Sequence, residues 1–186
     1  MKPIKKSLKR FFRGLGNLRF QSPIKKKKAL IFFLTSISVI ILDQLLKYLV
    51  VKRLEPGRQI TLISNLLHLT QIHNFGAAFS LFQGERLPLI LFSIAMIVII
   101  ICLYKRIPNK PFVQVSTALL LGGIIGNLID RIRLSYVIDF IDFKFWPAFN
   151  VADSALTVGI IVFIVANLRY GSGKDGPVRA GDANRL

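Results

Sequence analysis

Four stretches of the chain, roughly 29–51, 87–104, 112–129 and 154–170, are strongly apolar, and each comes close to the ~20 residues that a helix needs to cross ~30 Å of hydrocarbon. A backbone in lipid must satisfy its own hydrogen bonds, which leaves helices for segments of this kind. The expected fold is an all-α membrane protein with four transmembrane helices. The overall content agrees, since 53% hydrophobic residues exceeds what a soluble domain of 186 residues carries.

Charge supplies the orientation. The chain has 26 Lys and Arg against 9 acids, and eleven of the basic residues fall in 1–28 with no acid among them. A basic block abutting a hydrophobic span is the pattern of a membrane protein facing anionic headgroups. A nucleic-acid binder spreads its basic residues over a folded surface, so no nucleic-acid partner is expected. With the N-terminus inside, eighteen basic residues flank the cytoplasmic ends of the spans and seven the outer ends, which puts both termini in the cytoplasm. The first span is long and no A-x-A-like site follows it, so it reads as an uncleaved anchor. The division is then a basic cytoplasmic extension at 1–28, a membrane domain at 29–170 and a flexible, Gly-rich cytoplasmic tail at 171–186.

The outer connections carry the remaining information. ITLISNLLHLTQIHNFGAAFSLF is rich in β-formers but too polar for a span, and predicts a small extracytoplasmic β platform at about 55–83. Gly76, with Ala77 and Ala78, allows another backbone to come close. His68 and His73 lack metal-ligand spacing and are expected at the surface, so no metal is implied. The single cysteine, Cys102, excludes an internal disulfide and reads as a buried, inert thiol. Gly122, Gly123 and Gly126 form a small-residue face suited to close packing inside one bundle, hence a monomer.

VIDFIDFKFWPAFNVADSAL, residues 137–156, gathers Asp139, Asp142 and Asp153 among aromatic residues at the outer interface, with Asp130 just before. Ser135 and Ser154 have no nearby base and no outer cysteine exists, so paired carboxylates are the better candidates for chemistry. Two neighbouring carboxyls share a proton; one then takes a proton from water while the other donates to a carbonyl oxygen. Which pair does so stays open at this level. Asp153 could simply cap a helix, Asp130 could pair with Arg131, and Asp142 joins Asp139 on one face only if the segment is helical. Asp43 and Lys47, four apart in the first span, form a candidate ion pair. A proton-coupled carrier and a non-catalytic scaffold are the rival classes.

LDQLLK at 42–47, NFGAAFS at 74–80, GGIIGNLIDR at 122–131, VIDFID at 137–142 and FNVADSALTVG at 149–159 together resemble the lipoprotein signal peptidase (signal peptidase II) family over about residues 29–169. The resemblance implies an aspartic endopeptidase of the bacterial inner membrane, without cofactor. Its partner would be a prolipoprotein whose lipobox cysteine carries diacylglycerol, and it would cut just before that cysteine at the extracytoplasmic face. It selects Asp139 and Asp153 as the dyad and leaves Asp130 structural and Asp142 incidental. It further implies that Asn74, Gly76, Asn127, Arg131 and Asn150 hold substrate and orient the dyad, with Asp43 and Lys47 in support.

Overall fold

The computed structural model describes residues 26–76, 84–108 and 110–171. Most of the basic extension, the end of the expected platform at 77–83 and the tail from 172 lie outside the described residues. The chain runs α1 (Lys26–Arg53), β1 (Gln59–Ile63), β2 (Leu67–Asn74), α2 (Arg86–Leu103), a 3-10 turn (Tyr104–Arg106), α3 (Pro111–Leu134), β3 (Val137–Phe143) and α4 (Val151–Gly171).

Helix limits follow local chemistry. Ile107 is extended ahead of Pro108, which ends the α2 segment. Pro111 opens α3, where its missing N–H costs nothing. At the far end Ser135 turns left-handed (φ 74°) and donates its N–H to the Arg131 carbonyl. α3 thus runs past the expected limit at 129 and carries Asp130 and Arg131 within the helix. α1, α2 and α3 are each long and apolar enough to cross a membrane, whereas the apolar part of α4, Val151–Ala166, is shorter.

α3 is central, packing against the other three helices, and most of its length is buried. Glycines permit this. A Cβ on Gly122 would come within 2.8 Å of Val39 Cβ on α1, and one on Gly123 within 2.6 Å of the Ala152 carbonyl on α4. The glycine face is therefore used for packing within the bundle. Phe32, Ile100, Ala118 and Leu121 fill one core between α1, α2 and α3. Leu30, Phe33, Ile41, Leu91, Phe92 and Ile161 point outward and exposed, an apolar outer surface suited to lipid. Cys102 is exposed on α2, not buried as its apolar surroundings suggested; a uniformly apolar helix gives no sequence signal of which side faces its neighbours.

The sheet is antiparallel in the order β1-β2-β3. Its third strand comes from the connection between α3 and α4, so the sheet draws on that connection as well as on the one after α1. An irregularity on β2 between Leu69 and Ile72 sets Ile72 opposite Asp139. Past Phe143 the chain folds back, and Phe149 exchanges backbone hydrogen bonds with Ile141 (2.9 and 3.0 Å). That return places residue 150 beside Asp139. His68 is buried and paired across the strands with Asp142, contrary to a surface position: the pleat turns alternate β2 side chains inward.

Candidate active site

Asp139 is buried on β3, and both its oxygens are occupied. Asn150 Nδ2 donates to Oδ1 at 2.7 Å and Asn74 Nδ2 to Oδ2 at 2.9 Å. Asp153 stands in the first turn of α4. Its Oδ1 accepts from Asn127 Nδ2 at 2.8 Å and its Oδ2 from the Asn150 backbone N–H at 3.3 Å. Asn150 returns the contact, its Oδ1 accepting the Asp153 N–H at 2.9 Å. Asn150 and Asp153 therefore form a reciprocal N-terminal cap, and the same Asn150 reaches Asp139. Capping the helix and linking Asp153 to Asp139 are one arrangement, not alternatives.

Beneath lies a buried charge network. Lys47 Nζ sits 2.8 Å from Asp43 Oδ2 and 2.8 Å from Asp130 Oδ2, and donates to Asn127 Oδ1 at 3.1 Å. Ion pairs this deep hold only when the remaining lone pairs are satisfied. Asp43 Oδ1 accepts the Ala152 N–H at 2.9 Å, the Ile138 N–H meets Asp130 Oδ2 at 3.2 Å, and Gln44 Nε2 bridges Asp43 and Asp130. The expected Asp43–Lys47 pair is present. Asp130 pairs with Lys47 and not with Arg131, because successive helical residues point about 100° apart. Gln44 joins the network unanticipated; its place between Asp43 and Lys47 in LDQLLK is the available signal. Gly126 leaves room for this layer, since a Cβ there would meet Asp43 Oδ2 at 2.8 Å.

Arg131 reaches the other rim, donating to the Gly76 carbonyl at 3.1 Å; the Gly76 N–H in turn bonds Asn74 Oδ1 at 3.0 Å. Asn74, Gly76, Asn127, Arg131, Asp139 and Asp153 line one cleft of about 810 Å³, walled on its apolar side by Trp146, Phe149, Leu156 and Val158. Asn150 lies buried beneath it. Asp142 stays out of this cleft and opposite His68. It shares with Phe140 the face of β3 turned away from Asp139, because side chains alternate along a strand.

Burial, and after it the charge of Asp153, push the Asp139 carboxyl up to about 7, against the opposing pull of Asn74, Asn150 and Lys47. A carboxyl in that range can hold a proton or release it near neutrality. Among the described residues no three His, Cys, Asp or Glu side chains stand together so as to hold a metal ion.

Fold and site together define a helical membrane protein with two aspartates in one cleft. The family model described as signal peptidase (SPase) II matches residues 35–169, and the chain belongs to that family of proteases. A lipoprotein signal peptidase of Moorella thermoacetica is 39% identical over 132 residues, 70% of this chain and 88% of the relative. Another, of Caldanaerobacter subterraneus subsp. tengcongensis, is 46% identical over 125 residues, 67% of this chain and 86% of that one. A solved bacterial membrane enzyme superposes with a TM-score of 0.73 at 32% identity, covering 77% of this chain and 90% of its own.

Proposed function

We propose that the protein is an aspartic endopeptidase that removes the signal peptide from diacylglyceryl-modified bacterial prolipoproteins, cutting before the lipidated cysteine. The observation that carries this reading is the joining of Asp139 and Asp153 through Asn150 in a single cleft. The Asp153 carboxylate takes a proton from water as its oxygen attacks the scissile carbonyl carbon, and protonated Asp139 gives its proton to the carbonyl oxygen. The tetrahedral diol then collapses: the C–N bond breaks, the nitrogen leaves with the proton held by Asp153, and Asp139 recovers its own from the diol hydroxyl.

Other residues position this pair. Asn74, Asn127 and Asn150 orient the carboxyls, Arg131 fixes the Gly76 segment along which the substrate backbone lies, and Asp43 with Lys47 anchors the start of α4. The apolar wall accepts a signal peptide from the lipid side. All four helices span the inner membrane, both termini are cytoplasmic, and the cleft opens at the extracytoplasmic face. The working unit is a monomer, and the basic residues of 1–28 meet anionic headgroups.

Cleavage of a diacylglyceryl-modified prolipoprotein in detergent tests this. Asp139→Asn and Asp153→Asn should each lower kcat by on the order of 10²- to 10⁴-fold while the protein still folds, the range for loss of general acid–base catalysis. Full turnover by either variant removes the dyad from the mechanism.

A further inference from the structure

A second, smaller hollow of about 210 Å³ opens where the C-terminal end of α1 meets the sheet. Leu46, Leu49, Val50, Leu69 and Phe140 form much of its wall, and the exposed Arg53 completes it. None of these residues lines the Asp139–Asp153 cleft. Phe140 faces the hollow from the side of β3 away from Asp139.

We propose that this groove holds one acyl chain of an anionic phospholipid of the outer leaflet, with its phosphate bound by Arg53. The wall offers almost no polar group, so an extended peptide lying there would find no partner in it for its backbone N–H and C=O groups, whereas an alkyl chain needs none. From Leu49 on its wall, the exposed Leu45 and Leu42, spaced four and three residues apart, extend an apolar stripe along α1 on which the rest of the tail lies. Charge fixes the other end. Arg53 has no ion-pair partner among the described residues, Lys52 beside it lies over the Tyr48 ring, and nearby Glu55 is already paired with Arg58 at 3.1 Å. A guanidinium at the mouth of an apolar groove suits a phosphodiester. The bound chain braces Phe140, and so β3, from behind.

The inference rests on the proposed orientation of α1 but not on the dyad, so the test reads lipid and not proteolysis. The full chain is released from nanodiscs of phosphatidylcholine with graded phosphatidylglycerol, and retained lipid is measured by native mass spectrometry. One phosphatidylglycerol should remain on the wild type. Arg53→Gln, which keeps the groove, and Leu49→Trp, which keeps the charge, should each weaken retention about tenfold, as for loss of one charge-assisted contact or of the tail site. Phosphatidylglycerol should also raise the wild-type Tm more than that of either variant. Unchanged retention by both variants, equal retention of phosphatidylcholine, or displacement of the lipid by a diacylglyceryl peptide would each overturn the proposal.

Discussion

Asp139 accepts an amide hydrogen on each oxygen, yet burial and the neighbouring Asp153 outweigh those donors and hold its pKa at about 7, far above the ordinary 3.8. Between those values the folded chain keeps a proton that the unfolded chain has released. The native state therefore binds more protons, and stability declines as pH rises through the window and levels off above it. Thermal unfolding of Asp139→Asn from pH ~4 to ~8 should lack this component of the slope; an identical slope would assign it to other groups. Under the proposed mechanism the same proton goes to the carbonyl oxygen. kcat/KM should then fall as pH rises above about 7, with an apparent pKa that belongs to the coupled pair.

At the scale of elements, the start of α4 is the joint of the site. Asn150 and Asp153 cap each other, and Asp43 reaches from α1 to the Ala152 N–H. This contact passes through the gap left by Gly126. Gly126→Ala would press a methyl group against Asp43 Oδ2 at 2.8 Å, for a cost of about 1–3 kcal/mol and a Tm lowered by roughly 2–12 °C. Because Asp153 follows Ala152 directly, turnover per folded molecule should drop as well. Gly122→Ala is the comparison: it crowds Val39 and the Ser36 carbonyl on the same helix pair, away from Asp43, and should lower Tm with turnover retained. Equal turnover in both variants would show that the Asp43 contact does not position the site.

At the scale of the whole molecule, α1 and α3 run parallel and α4 antiparallel to them, which brings the C-terminal ends of α1 and α3 and the start of α4 to the same end as the sheet. On the proposed topology that end is extracytoplasmic. With Cys102 replaced by serine, Asn65→Cys should react with an impermeant maleimide added outside intact cells, and Arg179→Cys only after the inner face is opened; the reverse pattern would invert the protein. Chelation should leave cleavage intact, as a mechanism run by two carboxyls requires, and a loss restored by added zinc would replace it with metal chemistry.

The apolar runs alone determined that the chain is a helical membrane protein, because hydrocarbon imposes both length and composition on whatever crosses it. The β-formers between the first two apolar runs likewise announced a sheet, and LDQLLK its buried ion pair. What the residues could not decide was which acids meet. Asp130, Asp139, Asp142 and Asp153 are near-equivalent in sequence, and only the resemblance to a known family chose between them. In the fold, the strand pleat turns Asp142 toward His68, the length of α3 carries Asp130 down to Lys47, and the backbone return at Phe149 sets Asn150 between Asp139 and Asp153. Proximity of this kind arises from contacts between residues far apart in the chain, and periodicity along the chain carries no record of them.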